Sequence, residues 1–282
     1  MKIGFNLLLV TPFVTDEHLP LIEQLKNVGY DGIELPLFDG DVAHYEKIGK
    51  QLKDLGLGCT AVTVIPDQEH NPISPNAESR AGAMDHLKWA IDCCQAAGAE
   101  TLLGPFHSPL ADFSGDGATE QEKAHGAEVH KAAAQYAQDA GVLLAIEYLN
   151  RFECYFLNTM ADAADYVRRV DHPNFKTMYD TFHANIEEKD PFGIIAPNVD
   201  VIGHVHISEN DRGTPGKGHI DFATAIKCIK ESGYDSWLTI EAFGKALPEL
   251  AAATRVWRQF FTSVEEVYTD GFKMINEMWD AA

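Results

Sequence analysis

Several features that often identify a protein class are missing from this sequence. It has no CxxC pair, and its five cysteines are odd in number, which indicates reduced thiols rather than a disulfide framework. No apolar run approaches the roughly 18 residues that a bilayer-spanning helix needs, so we expect no membrane partner. No Pro/Gly/Ser-rich linker divides the chain, so residues 1–282 are predicted to form a single domain, located in the cytoplasm.

Positive charge is also scarce. The chain carries 22 Lys and Arg against 43 Asp and Glu, a formal net charge of -21. The longest basic run is the pair Arg168–Arg169. Such a surface repels a polyanion, so the sequence predicts no nucleic-acid partner and favours a small neutral or cationic ligand, or another protein subunit.

What the chain does contain is a repeated alternation of strand-like and helix-like segments. The strand candidates are short and apolar, and most are rich in β-branched or aromatic residues. They are residues 2–9, 32–36, 59–65, 101–107, 142–148, 175–180, 201–208 and 237–243. The segments between them show a helical spacing of apolar residues. One of these segments closes on Gly56, as a helix C-terminus prefers.

Eight strand–helix units predict an α/β fold, a (β/α)8 TIM barrel. A doubly wound open sheet is the alternative, but the chain has no glycine fingerprint after its first strand. The C-terminal segment, from about Lys245 to Trp279, is longer than one outer helix needs. We expect this extended helical segment to cover the barrel or to form a subunit contact.

Acidic and imidazole side chains fall where four successive strands end, and in such a barrel the chemistry gathers there. They are Glu147, Asp180, His206 and Glu241. Because side chains alternate faces along a strand, all four are expected to point toward the barrel axis. Three crowded carboxylates repel one another unless a cation lies between them. Oxygen-rich ligation with one imidazole suits Mn²⁺, Mg²⁺ or Co²⁺.

The stretch HVHISENDRGTPGKGHIDF, residues 204–222, is not a Walker loop. That motif needs four residues between its first glycine and the Gly-Lys pair, and then Ser or Thr, which GTPGKGH does not provide. The stretch is predicted to be the seventh strand and a turn-rich loop that presents Arg212. His204 is predicted to be a hydrogen-bonded core histidine. Glu34, near the end of the second strand, is a further candidate for an inward-facing side chain.

Four stretches, EYLNRFECY, YDTFHANIEE, HVHISENDRGTPGKGHIDF and TIEAFG, resemble the ketose 3-epimerases of the xylose-isomerase-like superfamily. These include D-tagatose, D-psicose (allulose) and L-ribulose 3-epimerases. The similarity covers nearly the whole chain, including the opening MKIGFN and GYDGIELP. Its specificity lies in the spacing of Glu147 and Glu153, Asp180 and His183, His206 and Arg212, and Glu241 and Phe243.

The resemblance implies an isomerase that epimerises free ketoses at C3 through a cis-enediolate, such as D-tagatose/D-sorbose, D-fructose/D-psicose or ribulose/xylulose. It implies that Glu147 and Glu241 are the acid–base pair. The implied ligands of a divalent ion, Mn²⁺ first with Mg²⁺ or Co²⁺ as alternatives, are Glu147, Asp180, His206 and Glu241. The implied substrate-binding residues are Glu153, His183, Arg212 and Phe243. A homodimer or homotetramer is implied as well.

One part of the family pattern differs in this chain. The family often places tryptophans in the loops after the first and fourth strands, where this chain has Phe13 and Phe113. The sequence leaves open whether these two rings line the far part of the pocket, and which ketose is preferred.

Three other functions stay open at this point. An aldose–ketose isomerase of the hydroxypyruvate isomerase type would use the same site and move the proton between C1 and C2. A barrel that cuts DNA at abasic sites, as endonuclease IV does, would need several zinc ions and a basic rim, which the charge opposes. A non-catalytic sugar-binding barrel would not need the pair of glutamates.

Overall fold

The computed structural model describes residues 1–282, and its eight parallel strands close into a barrel in sequence order. The strands are β1 (Lys2–Asn6), β2 (Gly32–Pro36), β3 (Gly58–Val62), β4 (Thr101–Gly104), β5 (Leu143–Ile146), β6 (Phe175–Asp180), β7 (Ile202–Ile207) and β8 (Trp237–Ile240). Pairing of β1 with β8 closes the ring, which confirms the TIM barrel and excludes the open sheet.

Nine α-helices accompany the strands. They are α1 (Leu19–Val28), α2 (Val42–Leu55), α3 (Ala77–Ala97), α4 (Glu120–Ala140), α5 (Met160–Val170), α6 (Thr181–Glu187), α7 (Phe222–Glu231), α8 (Pro248–Ala253) and α9 (Val264–Ala281). Most begin after a side chain that accepts a backbone N–H, as Thr119 does at α4. Gly56 follows α2 at φ +67°, a left-handed conformation that glycine adopts at little cost, as predicted.

Several strands are shorter than the sequence predicts, and the difference matters at the barrel mouth. β1 ends at Asn6 because Leu7–Leu9 form a short 3-10 helix, and the Asn6 side chain caps it. β5 and β8 each end one residue before Glu147 and Glu241. These carboxylates therefore lie at the first positions of loops, directly beyond the sheet.

The alternation of side chains along β7 follows the prediction. Val205 and Ile207 are buried in the large apolar core between sheet and helices, while His204 and His206 are fully buried on the other face, with Glu34 of β2 as their neighbour. Fully burying one such aliphatic side chain contributes about 1.5–3 kcal/mol. The apolar face thus stabilises the barrel and leaves the inner face free for polar groups.

The other end of the barrel is filled by Trp237, the first residue of β8, which is buried. A Cβ on Gly32 would lie 2.5 Å from its ring, and one on Gly58 would lie 2.9 Å from it. The ring therefore needs glycine at the first positions of β2 and β3, across the barrel from β8.

The C-terminal segment does cover the barrel. The short helix α8 contributes Pro248, Leu250 and Ala253 to the wall of a cavity at the mouth. The long helix α9 packs outside the barrel against α1, α7 and β8. None of the helices combines the length and the apolar content that a bilayer crossing requires.

Candidate active site

A cavity of about 810 Å³ opens where the strands end, a volume within the range of small-molecule sites. Its wall includes both predicted catalytic residues and all four predicted substrate-binding residues. These are Glu147, Glu241, Glu153, His183, Arg212 and Phe243. The remaining wall is mostly apolar. The structure therefore brings the predicted side chains from β5, β6, β7 and β8 to one place.

A cluster of potential ligand atoms adjoins this cavity through Glu147, His183 and Glu241. Atoms of Asp180, His206 and Glu241 lie within 4.8 Å of one another, and so do atoms of Glu147, Asp180 and His183. Asp180 belongs to both groups, so the four predicted metal ligands form two overlapping sets. His183, which the sequence places among the substrate-binding residues, joins the second set.

The two carboxylate oxygens of Asp180 have different surroundings, because this residue is both the last residue of β6 and the N-cap of α6. Its Oδ1 accepts the backbone N–H groups of Phe182 at 2.6 Å and His183 at 3.2 Å. Its Oδ2 is buried and has no hydrogen-bond partner. The helix thus fixes the carboxylate plane and leaves one oxygen directed at the cluster.

His206 is oriented in a similar way. Its Nε2 lies 2.8 Å from Glu34 Oε1, whereas its buried Nδ1 has no hydrogen-bond partner. This Nδ1 lies 3.6 Å from Asp180 Oδ2 and 3.4 Å from Glu241 Oε1. Buried polar atoms without partners are rare in native proteins. Two of them facing each other, beside a further carboxylate, fit the donor set of a divalent cation.

His183 lies between the cluster and the cavity. The backbone N–H of Asn150 donates to its Nδ1 at 2.9 Å. With Nδ1 accepting, the proton of a neutral ring lies on Nε2, which is 3.5 Å from Glu147 Oε1. Arg212 Nη2, which is also a donor, lies 3.1 Å from the same nitrogen. Burial lowers the pKa of His183. His183 therefore presents its Nε2 at the cavity wall.

Arg212 is the one Lys or Arg side chain in the cavity wall, and it is buried. Its Nη1 donates to Glu241 Oε2 at 2.6 Å and to Ser208 Oγ at 3.2 Å. Its guanidinium stacks over the rings of Phe182 at 3.7 Å and Phe243 at 4.9 Å. These contacts leave the side chain little freedom.

The loop that carries Arg212 is held by a buried carboxylate. Arg212 has φ +64°, a left-handed conformation that is unfavourable for a residue with a Cβ. The fully buried Glu209 accepts the backbone N–H groups of Asn210, Gly216 and Ile220 at 2.9–3.2 Å. These three hydrogen bonds connect both ends of the loop and hold Arg212 beside Glu241.

The two glutamates have different surroundings. Burial raises the pKa of Glu147 well above its usual value, and the charge of Glu241 adds to the shift. Burial acts in the same direction on Asp180, but His183, His206 and Arg212 outweigh it and lower its pKa. A bound cation would oppose the shift of Glu147, because a ligating carboxylate has to be ionised.

Asn6 is a site residue that the sequence reasoning missed. Its Nδ2 donates to Glu241 Oε1 at 3.2 Å, and its Oδ1 accepts the N–H of Leu8 at 2.8 Å. The second bond fixes which end of the amide faces Glu241. The available signal was a polar residue at the end of β1, the same signal that identified the four acidic and imidazole groups.

Phe13 and Phe113 do not line the cavity. Phe13 stacks on His44 at 4.3 Å, and Phe113 is 48% exposed beside a separate small groove. The far wall is instead formed by side chains that the sequence did not indicate. They are Leu8, Pro12, Phe38, Leu110 and residues of α8.

Fold and site together define a (β/α)8-barrel protein with an acid- and histidine-lined mouth. The model of the xylose isomerase-like TIM barrel family matches residues 22–280, and the chain belongs to this family. This confirms the superfamily that the sequence resemblance indicated.

Two related proteins and one solved structure show which members of the family this chain resembles. A probable ketose 3-epimerase of Synechocystis sp. is 30% identical over 92% of this chain and 90% of its own length. A D-psicose 3-epimerase of Agrobacterium fabrum is 33% identical over 85% of this chain and 84% of its own. The crystal structure of a Methylomonas sp. D-allulose 3-epimerase with D-allulose superposes with a TM-score of 0.91 at 26% identity, covering 99% of this chain and 97% of that one. These comparisons confirm the resemblance to the ketose 3-epimerases and the isomerase class.

Proposed function

We propose that this protein is a metal-dependent ketose 3-epimerase that acts on free ketoses such as D-fructose, D-psicose, D-tagatose and ribulose. The observation that carries the proposal is the arrangement of Glu147 and Glu241. Both line the same cavity, and they follow strands that are three positions apart in a ring of eight. They therefore reach a bound sugar from different sides. The relatives named above act on substrates of this class.

The reaction needs two acid–base groups. The hydrogen on C3 of a ketose is weakly acidic because the carbanion spreads onto the C2 carbonyl oxygen and gives a cis-enediolate. Inversion requires that one carboxylate removes this proton from one face and that the other returns a proton to the opposite face. Glu147 and Glu241 have these roles, which exchange in the reverse direction. Each group contributes about 10²–10⁴-fold.

The other polar residues orient the sugar. His183 offers its Nε2–H, and Arg212 offers a guanidinium held in place by Glu241, Ser208 and two aromatic rings. These donors suit the oxygens on C1 and C2, where negative charge develops. Glu153, which accepts from Asn150 Nδ2 at 2.8 Å, lies nearby to accept a sugar hydroxyl. Phe243 supplies an apolar wall.

A free ketose fits the charge of the cavity better than a sugar phosphate. Arg212 is its one cationic side chain, and Glu241 already pairs with it. Phosphate sites in such barrels commonly use backbone N–H groups or clustered cations in the loops after strands seven and eight. Here the N–H groups of Asn210, Gly216 and Ile220 in the loop after β7 are engaged by Glu209.

Glu147, Asp180, His206 and Glu241 are the residues that would hold the metal ion. Hard oxygen ligands with one imidazole fit Mn²⁺, and Mg²⁺ or Co²⁺ are alternatives. When bound, such an ion is a Lewis acid that polarises the carbonyl of the substrate. This ligand set is supported by Asp180 and His206, each of which keeps one buried atom without a hydrogen-bond partner.

Turnover in deuterated water tests the proposal. The Mn²⁺-loaded protein is incubated with D-fructose, D-tagatose and L-ribulose, and products are separated by chromatography. We expect C3 epimers with deuterium at C3. Glu147→Gln and Glu241→Gln should each lose at least about 10²-fold in kcat, whereas the matched control Glu265→Gln on the outer helix α9 should not. Normal turnover by either cavity variant contradicts the two-base mechanism.

The same experiment distinguishes the proposed epimerase from two alternative functions. An aldose product with deuterium at C2 or C1 identifies an aldose–ketose isomerase of the hydroxypyruvate isomerase type. Metal binding without turnover of any ketose identifies a non-catalytic sugar-binding barrel.

We also propose a cytoplasmic homodimer or homotetramer. The cytoplasmic assignment is supported by five free cysteines, four of them buried. The oligomer follows from the resemblance to the ketose 3-epimerases. Sedimentation equilibrium of the purified chain tests it, and a monomer at micromolar concentration contradicts it.

A further inference from the structure

Glu34 lies beneath the cavity, on β2, and is fully buried without taking part in the cavity wall. Its Oε1 lies 2.8 Å from His206 Nε2. Its Oε2 accepts the hydroxyl of Thr60 at 2.8 Å and lies 3.1 Å from His204 Nε2. Three groups from β3 and β7 thus converge on one carboxylate inside the barrel.

We propose that Glu34 is a positioning residue for the metal site and that it acts through His206. In this arrangement the His206 Nε2–H donates to Glu34, so Nδ1 keeps a lone pair directed at Asp180 and Glu241. The inference rests on the metal-dependent function proposed above. It adds a residue that lies 172 positions from His206 in the chain and touches neither the cavity nor the other three ligands.

The two oxygens of Glu34 have separate partners, and this fixes the carboxylate. Thr60 donates to Oε2 and His204 Nε2 lies beside that oxygen, so Oε1 remains for His206. A rotation that took Oε1 away from His206 would also break the bond to Thr60. The second partner of a ligating histidine usually sets which ring nitrogen carries the proton, and its loss typically costs 10–100-fold in metal affinity.

A role in fold stability alone explains the contacts of Glu34 less well than a role in positioning His206 for a metal ion. A buried carboxylate is expensive to desolvate and needs full compensation by its partners. The contact places one nitrogen of His206 on Glu34 and leaves the other, on the cavity side, without a partner. An ion pair serving stability alone has no need for that free nitrogen beside two more carboxylates.

The test is Mn²⁺ affinity, measured without sugar by the electron paramagnetic resonance signal of the free ion. We compare the wild type with Glu34→Gln, which keeps the shape and removes the charge. The control is Thr63→Val, which removes another buried hydroxyl, one that bonds Leu37 O and does not touch His206. We expect the Kd to rise about 10–100-fold in Glu34→Gln and to stay within about twofold in the control.

A second variant tests the proposal even if Glu34→Gln does not fold. Thr60→Val keeps Glu34 and removes one of the donors that fix Oε2, so we expect a smaller, few-fold rise in Kd. Both variants are checked for a cooperative urea transition. An unchanged Kd in folded Glu34→Gln overturns the proposal. So does an equal loss in Thr63→Val, because the effect would then be a general loss of barrel packing.

Two further measurements separate this inference from other accounts. Nitrogen-15 NMR of the Mg²⁺-loaded protein should show His206 protonated at Nε2, and protonation at Nδ1 overturns the inference. Glu34, His204 and His206 are themselves close enough to bind a cation, so a stoichiometry of two ions per chain also overturns it. Because no measurement uses sugar, a failure to epimerise ketoses would refute the proposed function and leave the Glu34 result standing.

Discussion

Arg212 Nη1 lies 2.6 Å from Glu241 Oε2, and both side chains are buried at the barrel mouth. The pair joins the loop after β7 to the end of β8. Breaking a buried ion pair from one side is costly because the remaining charge loses its partner. The contact therefore couples the position of a proposed substrate donor to that of a proposed acid–base group.

Replacing Arg212 by lysine should reduce catalysis although the charge is kept. A lysine has no planar fork to contact Glu241 and Ser208 together, and it stacks less well on Phe182. Losing one charge-assisted hydrogen bond, worth about 1.5–3 kcal/mol, predicts a fall in kcat/KM of about 10- to 100-fold. The control is Arg151→Lys, the same exchange at an exposed arginine that pairs with Glu187. Equal kinetics of the two variants would contradict the prediction.

Asn6→Ala should lower kcat more than it changes KM. The amide donates to Glu241 Oε1 and does not line the cavity. A hydrogen bond to a charged group is worth about 1.5–3 kcal/mol, so we expect roughly a 10- to 100-fold loss in kcat. Asn174→Ala is the matched control, since that amide bonds the Val142 carbonyl at the opposite end of the barrel. A rise in KM with unchanged kcat would show that Asn6 binds substrate instead.

Metal binding should stabilise the folded chain. A ligand that binds the native state alone, present at 100 times its Kd, stabilises by about 2.7 kcal/mol. We therefore expect Mn²⁺ to raise the Tm of the chelator-treated protein, and Asp180→Asn to abolish the rise. Asp221→Asn is the control because Asp221 also caps a helix, α7, but lies outside the cluster. A full Mn²⁺ shift in Asp180→Asn would contradict the proposed ligand set.

His130 should make stability depend on pH between about 6.5 and 4. Its Nδ1 accepts the Tyr166 hydroxyl at 2.6 Å, and its Nε2 donates to the Phe106 carbonyl at 3.1 Å. Burial lowers the pKa of His130 to about 4. The unfolded chain binds this proton first as the pH falls below about 6.5, so stability is full above that value and declines until the pH reaches the folded pKa.

His130 should lower the free energy of unfolding by about 2 kcal/mol between pH 7 and pH 5. This decrease is measured as the difference in urea unfolding free energy between the two pH values. In His130→Gln, which does not titrate, the pH-dependent loss should be smaller by about this amount. An identical loss in both proteins would show that other groups account for it.

Much of the site follows from local rules. Period-two alternation assigns His206 to the inner face of β7, and strand order brings β5 to β8 together, so Glu147, Asp180 and Glu241 could be predicted without a structure. The exact residues at which the strands end could not be predicted from the sequence. Whether a chain leaves the sheet at Ile146 or two residues later depends on the packing of the next loop.

The sequence by itself determined the eight-fold repeat, the inward face of each strand and the residues at four strand ends, because hydrophobic periodicity is a local property of the chain. The tertiary structure decided the rest: that Asn6 orients Glu241, that Glu34 contacts His206, and that α8 rather than Phe13 and Phe113 forms the far wall. These contacts join segments up to 235 residues apart, and they depend on how side chains from separate strands and loops pack within a closed barrel.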